Sequence, residues 1–268
     1  MLSHTPLGKK SPAISHYQRD LLCPIPRNIN RERLGIKTLP FTGFDIWNAY
    51  ELSWLSSNGK PEIACAQFHF PCESPQLIES KSFKLYLNSF NNTKFASQDV
   101  STILIHDLSE AAGMPVEVKL ISLNDVPQKI ASHFTGLSLD KLDITCDTYE
   151  PLPSYLITEE NIITETLCSD LLRSNCPVTG QPDWGSIQIT YTGEKINHEG
   201  LLKYIISYRK HTEFHEHCVE KMFVDIMQYC NPEKLLIYAR FTRRGGLDIN
   251  PYRANYPIHI DDIRLWRQ

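Results

Sequence analysis

Residues 185–193 alternate strictly, with Ile187, Ile189 and Tyr191 on one side and Ser186, Gln188 and Thr190 on the other, the period of a strand with one face buried. That pattern demands a sheet, and it constrains what comes just before. The stretch Ser174-Asn175-Cys176-Pro177-Val178-Thr179-Gly180-Gln181-Pro182-Asp183-Trp184 puts two prolines and a glycine between a cysteine and an acid. Those residues forbid a helix and predict a rigid loop. Loop and strand together can fix the acid. A cysteine on such a loop, with a carboxyl group held nearby, has what a thiol nucleophile with a proton shuttle requires. The same residue can equally be a small apolar packing group, as most cysteines in cell proteins are.

One order of elements occurs twice along the chain. In the first half, 44–55 reads as a strand with Ile46, Leu52 and Trp54 on one parity, Asn58-Gly59 signals a hairpin turn, and 61–70 returns with Ala64, Ala66, Phe68 and Phe70 alternating against Ile63, Cys65, Gln67 and His69. A helix is predicted over 77–90, because Phe83, Leu87 and Phe90 recur at helical spacing while Lys81, Lys84 and Asn88 share the opposite, partly cationic face. A second helix carries Val100, Ile103, Leu104 and Leu108 and stops at Gly113 with Pro115 just beyond. Val116, Val118 and Leu120 then restart a strand. The second half gives a strand over 161–168, the cysteine loop, a strand over 185–192, helices over about 198–209 and 213–229, and a last strand over 235–242. Leu235, Ile237, Ala239 and Phe241 form the apolar face of that strand, and Gly245-Gly246 turns the chain back into 247–250. The expected class is α+β. Four segments are expected: an N-terminal arm over 1–42, rich in Pro24, Pro26, Arg27, Arg31 and Arg33 and extended over the surface; a first module over 43–123; an irregular connection over 124–153; and a second module over 154–268.

Composition excludes several classes. With 41% hydrophobic, 22% charged and 10% aromatic residues in 268, the chain is globular rather than disordered. It has no apolar run of the ~18 residues that a membrane span takes. A net charge of −4 is no footprint of a nucleic-acid binder. The 8 cysteines are scattered without a C-x-x-C, unlike a zinc module or a disulfide framework. The first residues carry Lys9, Lys10 and Arg19 but no apolar segment, so a secretory signal is not expected and the cytoplasm is.

Two further motifs bear chemistry. Phe214-His215-Glu216-His217-Cys218-Val219-Glu220 opens a helix for which Thr212 is the expected N-cap, so His215 and Glu216 fall in its first turn. There Glu216 gains from the helix dipole, and a carboxylate so held can also accept two N–H donors from a guanine-like base. His211 and His215, spaced i and i+4, together with Cys218 make a candidate zinc set. Against it, the H-E-x-x-H glutamate is missing, and His217 points about 200° away from His215 on a helix. Arg243-Arg244-Gly245-Gly246 suits either an anion nest or a charged hairpin tip. There is no G-x-G-x-x-G or P-loop, so any nucleotide is held in another way.

Several of these stretches together resemble one family. Glu79-Ser80-Lys81-Ser82-Phe83-Lys84-Leu85-Tyr86, the 176–183 loop, Phe214-His215-Glu216 and Arg243-Arg244-Gly245-Gly246-Leu247-Asp248-Ile249-Asn250-Pro251 are similar to the motifs of the NADPH-dependent 7-cyano-7-deazaguanine reductases, the nitrile reductases of queuosine biosynthesis. Leu39-Pro40-Phe41-Thr42-Gly43 and Asp45-Ile46-Trp47 fit the long, two-module branch of that family. The resemblance implies two tandem tunnelling-fold modules, each an antiparallel sheet with two helices on one face, and a homodimer.

It also implies roles. Cys176 as thiolate would attack the nitrile carbon to give a covalent thioimide, with Asp183 supplying a proton to the nitrile nitrogen and His215 assisting. Hydride from NADPH would give a thiohemiaminal that collapses to an imine and frees the thiol, and a second NADPH would yield the aminomethyl product. Glu216 would hold the guanine-like edge, with Ile78, Glu79 and Ser80 lining the same pocket. Ser80, Lys81, Arg244 and Gly245 would bind NADPH, the cations favouring its 2′-phosphate, and Lys84 is a further candidate. Neither nucleic acid nor membrane is an expected partner. Cys218, three residues after His215, is a candidate for a reversible disulfide with Cys176, or else a packed core thiol. Two alternatives stand beside this reading. One is a zinc-dependent tunnelling-fold purine or pterin hydrolase built on His211, His215 and Cys218. The other is a binding module without chemistry, against which the intact set of Cys176, Asp183 and His215 argues.

Overall fold

The computed structural model describes residues 14, 16–124 and 130–268. The start of the expected arm, with Lys9 and Lys10, and residues 125–129 of the expected connection lie outside the described residues. The described residues fall into two compact units, the first drawn from Met1–Gly35, Phe44–Gln128 and Arg243–Asp248, the second from Ile36–Gly43, Lys129–Thr242 and Ile249–Gln268.

The first unit contains β1 (Pro24–Pro26), α1 (Asn28–Arg33), β2 (Phe44–Leu55), β3 (Pro61–Pro71), β4 (Gln76–Ile78), α2 (Ser80–Asn88), α3 (Ser97–Ala112) and β5 (Glu117–Ile121). Strands β5, β3 and β2 are antiparallel neighbours in that order. The β2–β3 hairpin turns at Gly59, whose φ of 83° is the left-handed conformation for which Asn-Gly sequences are suited. The ladder pairs Ala49 with Ala66 but Leu52 with Ala64, so a bulge adds one residue to β2. Residues directly opposite share a face, so Trp47 and Ala49 face the same way as Leu52 and Trp54, and Ile46 faces the other way. Sequence parity had put Ile46 with Leu52 and Trp54; the bulge breaks that parity. Onto this face α2 lays Phe83, with its ring centroid 5.2 Å from Trp47 and 5.0 Å from Phe68.

Helix α2 is shorter than the predicted 77–90. Leu77 and Ile78 belong to β4, and Glu79 is the N-cap, its carboxylate accepting from the backbone N–H of Lys81 at 2.8 Å and of Ser82 at 2.7 Å. Helix α3 ends at Gly113 in the left-handed conformation, φ 73°, as its sequence predicts. The segment read as a surface arm is built into the unit: β1 pairs with β4, and Arg27 bonds Asp45 with both side chains 1% exposed.

The second unit contains β6 (Ile130–Ala131), β7 (Leu137–Ser138), β8 (Thr158–Ser169), β9 (Arg173–Asn175), β10 (Pro182–Ile196), α4 (His198–Ser207), a 3₁₀ turn (Tyr208–Lys210), α5 (His215–Cys230), β11 (Lys234–Phe241), most of β12 (Leu247–Ala254) and β13 (Arg264–Leu265). Strands β8, β10, β11 and β12 are antiparallel neighbours in that order, β7 lies parallel to β8, and β9 forms a hairpin with the start of β10. Ile187, Ile189 and Tyr191 are buried as the alternation predicts. Helix α5 buries Cys218, Met222 and Ile226 completely. Its N-cap is Phe214, without a side-chain bond, and not Thr212, because Thr212 is held outside the helix by a bridge to Asn175. Both units are thus α+β with antiparallel sheets. Among the described residues no helix is long and apolar enough to cross a membrane.

Candidate active site

The β9–β10 hairpin carries the cysteine and the acid. Its ladder pairs Asn175 with Pro182, Ser174 with Asp183 and Arg173 with Trp184, and the loop above is closed by Cys176 N–H donating to the Gln181 carbonyl at 2.9 Å. A further bond from Gly180 N–H to the Cys176 carbonyl folds Pro177, Val178 and Thr179 into a turn, with Gly180 at φ 66°. The predicted loop is therefore shorter than Cys176 to Asp183: the acid belongs to the strand. Ser174 and Asp183 stand directly opposite each other and share a face of the hairpin, and Cys176 opens the loop one residue beyond the strand. Asp183 is 5% exposed, whereas Cys176 is half-buried.

Asn175 anchors this hairpin. Its backbone N–H donates to the His211 carbonyl at 2.8 Å, its side-chain amide to the Arg209 carbonyl at 3.1 Å, and its amide oxygen accepts from Arg173 at 3.1 Å. Trp184 lies against both the Arg173 and Arg209 guanidinium groups, at 5.6 and 5.4 Å from its ring centroid. The residue before the nucleophile candidate is thus tied to a second segment by main chain and side chain alike.

Helix α5 supplies the partner of the acid. His215, at its first position and 9% exposed, presents Nε2 3.4 Å from Asp183 Oδ1. The ring of His215 stacks on Phe241, centroids 3.8 Å apart and planes 9° from parallel. Glu216, in the same first turn, is 2% exposed. Cys218 is wholly buried; burial pushes its thiol far up, and the Ser174 hydroxyl offsets only part of this. Sequence reading missed Phe241, Asn175 and Trp184. Phe241 showed only as one more apolar position of a strand, and its neighbour on α5 left no trace in the strand pattern.

The zinc set does not assemble on a helix. His211 lies before α5, closing the 3₁₀ turn, so the i, i+4 spacing to His215 is not helical. No group of three His, Cys, Asp or Glu suited to a metal ion occurs among the described residues. His217 instead pairs with Glu213 at 3.1 Å, and burial pulls His211 below the usual imidazole range.

In the first unit, Ile78 and Glu79 are buried and Ser80 and Lys81 open α2 half-exposed. The Glu79 carboxylate is engaged in capping, so whatever else it does it also fixes this helix start. The hairpin tip is a two-residue turn in which Arg244 and Leu247 exchange both backbone bonds and Gly245 and Gly246 have φ of 55° and 79°. That is a type I′ turn, for which glycine is favoured at both central places. Lys84 donates to Glu51 and to the Gly245 carbonyl, fastening the tip to α2. A small cavity beside this contact is lined by Ala49, Glu51, Lys84, Asn88, Gly245 and Leu247 among others.

The fold is that of an α+β protein of two units built on antiparallel sheets, one of which carries a hairpin with a half-buried cysteine and a buried Asp–His pair. Residues 14–120 match the family described as nitrile reductase, 7-cyano-7-deazaguanine-reductase N-term, and residues 182–257 match the family of the QueF-like protein. Proteins named NADPH-dependent 7-cyano-7-deazaguanine reductase from Burkholderia vietnamiensis and Burkholderia multivorans are each 58% identical over 270 residues, covering 99% of this chain and 98% of theirs. The protein of that name from Burkholderia orbicola is 58% identical over 272 residues, covering 99% of both. The chain belongs to the NADPH-dependent 7-cyano-7-deazaguanine reductase family. A solved structure, the archaeosine synthase QueF-Like in the apo form, aligns with 38% of this chain and 99% of its own at 14% identity and a TM-score of 0.32.

Proposed function

We propose that this chain reduces the nitrile of 7-cyano-7-deazaguanine to the aminomethyl group in queuosine biosynthesis, with Cys176 as nucleophile, and that two NADPH are consumed. The observation that carries the site assignment is the 3.4 Å approach of His215 Nε2 to Asp183 Oδ1, beside the hairpin that holds Cys176. Cys176 sulfur adds to the nitrile carbon; the displaced π pair goes to the nitrogen, which takes a proton from Asp183. Asp183 in turn receives the thiol proton, so the acid is a shuttle and ends each addition as it began. His215 steadies that proton on the acid. Burial of the pair serves this step, since charge and proton positions matter most where water is excluded. Glu216 holds the guanine-like edge, and Ile78, Glu79 and Ser80 contact the substrate.

The donor set of the first unit fits a phosphorylated dinucleotide. Lys81 in the first turn of α2 and Arg244 at a glycine turn carry cationic side chains suited to phosphate, while their own N–H groups are bonded to Glu79 and Leu247. Ser80, Lys81, Arg244 and Gly245 are assigned to NADPH, which supplies hydride when bound. Lys84 is paired with Glu51, so its charge is already balanced. The chain works in the cytoplasm as a homodimer and needs neither nucleic acid nor membrane.

The test is intact-protein mass spectrometry after mixing with 7-cyano-7-deazaguanine in the absence of NADPH. An added mass equal to the whole nitrile, absent from Cys176→Ala and discharged by NADPH, is the expected result. A folded protein that binds the nitrile without any adduct would overturn the covalent mechanism.

A further inference from the structure

His215 is held differently from most histidines that move protons. Such a ring is commonly oriented by a hydrogen bond at the nitrogen that does not face the reaction. Here Nε2 faces Asp183, and Nδ1 is buried without a hydrogen-bond partner among the described residues. No polar contact at Nδ1 therefore sets the plane of the ring. What touches that plane is Phe241, stacked at 3.8 Å and 9° and itself 0% exposed.

Phe241 is in turn placed by its cross-strand neighbour. In the β10–β11 ladder it stands directly opposite Gly185. A Cβ at Gly185 would lie 3.1 and 3.2 Å from two Phe241 ring carbons and 3.3 Å from Leu172 Cδ2, closer than side chains pack at ease. The missing side chain lets the phenyl ring settle onto the sheet, and the imidazole lies on the phenyl ring. Gly185 is also only two residues beyond Asp183 on the same strand, so strand β10 sets the position of both the acid and the support of its partner.

We infer that Phe241 is a positioning residue for the nitrile addition, orienting the His215 ring toward Asp183 through the stack that Gly185 makes room for. This deepens the proposed function and rests on it for the role of His215. Phe241 touches neither substrate nor cofactor in this account; it acts only through His215.

The experiment measures the rate of adduct formation with 7-cyano-7-deazaguanine, without NADPH, for Phe241→Leu in wild-type and His215→Ala backgrounds. Leucine keeps the site apolar and removes the flat surface. Phe241→Leu is expected to slow adduct formation about tenfold or more, since small misplacements of reacting groups are that costly. In the His215→Ala background, where the ring it orients is gone, it should add less than about twofold, which is within the scatter of such comparisons. Phe223→Leu, which removes another buried ring of the same unit, serves as the control for lost packing and should slow both backgrounds alike, if at all. If Phe241→Leu does not fold, Gly185→Ala makes the same test by displacing the ring a few tenths of an ångström from the place where it stacks on His215. Equal slowing in both backgrounds, or none in either, overturns the inference while leaving the covalent reading intact. No adduct in the wild-type protein overturns that reading, and this one with it.

Discussion

His215 Nε2 stands 3.4 Å from Asp183 Oδ1, and the two side chains are 11% and 5% exposed. An acid on a strand and a histidine at the start of a helix, 32 positions later, meet in a place water hardly reaches. Asp183→Asn keeps the shape of the acid but cannot shuttle a proton. The rate of adduct formation should fall by roughly 10²–10⁴-fold, the usual worth of a positioned acid or base, with thermal stability near that of wild type. Rapid-quench mass spectrometry reads this directly, and an undiminished rate would remove Asp183 from the mechanism.

Two cysteines stand near this pair, and they should behave differently. Cys176 is half-buried on the loop, whereas Cys218 is wholly buried and its thiol is pushed up by that burial. Alkylation of the native protein with iodoacetamide should label Cys176 and spare Cys218 until the protein unfolds. Correspondingly, Cys176→Ala should abolish the nitrile adduct and Cys218→Ala should retain it. Peptide mapping after labelling separates the sites; equal labelling would refute the difference. The same mapping on protein treated with hydrogen peroxide decides whether a Cys176–Cys218 disulfide forms.

How much of this was legible in the chain depended on which physical constraint fixed each part. Period-2 alternation in 185–193 sufficed for β10, because a buried face leaves its residues in every second place. The same rule failed in β2, where one inserted residue between Ala49 and Leu52 moved Ile46 to the other face. Helix starts were misplaced for a similar reason. Thr212 is a good cap in isolation, but its bridge to Asn175 keeps it out of α5, and Glu79 became the cap of α2 where the periodic pattern ran back to Leu77. Cys176, Asp183 and His215 stood out as chemical types in sequence, while the stack of His215 on Phe241 depends on strand register and helix docking, which no local pattern encodes.

Among the cations, Lys81 and Lys84 share a helix face, and Lys84 is committed to the hairpin tip. Lys84 pairs with Glu51 and the Gly245 carbonyl. Its charge is thereby offset, so Lys84→Ala should loosen the hairpin tip yet change the KM for NADPH little. Lys81→Ala should raise that KM roughly tenfold or more, about the value of one charge-assisted hydrogen bond, and should narrow the preference for NADPH over NADH. Steady-state kinetics with both nucleotides would check it, and a larger effect at Lys84 than at Lys81 would reverse the assignment.

The two glycines of the tip should differ in their tolerance of alanine. Both have positive φ, which costs a residue with a Cβ about 1–2 kcal/mol. At Gly245 the added carbon meets only the flexible Lys84 side chain, 3.2 Å away at Cδ. At Gly246 it would meet the Glu51 carboxyl carbon at 2.4 Å and both of its oxygens, so Glu51 must move and its pairing with Lys84 must change. Gly246→Ala should therefore lower the melting temperature more than Gly245→Ala. Equal melting temperatures would mean that Glu51 yields at no cost.

Helix α5 is fixed to its sheet by a buried ion pair as well as by its apolar stripe. Arg253 of β12 donates to Glu220 Oε1 from Nη2 at 2.9 Å and from Nε at 3.2 Å, both side chains being 0% exposed, and its guanidinium lies 5.5 Å over the Phe41 ring. A pair so placed pays a large desolvation penalty, so its presence adds little net stability compared with an apolar pair of similar size. Breaking it is another matter. Glu220→Gln keeps the shape but removes the charge that Arg253 Nη2 and Nε address, and should cost about 3–5 kcal/mol in chemical denaturation. Replacing both members, Glu220→Leu with Arg253→Met, should recover most of that loss. Because His215 opens the same helix that Glu220 fastens, the single variant should also slow nitrile addition more than the double one. If the double variant is no more stable than Glu220→Gln, packing around the pair rather than its charge sets the cost.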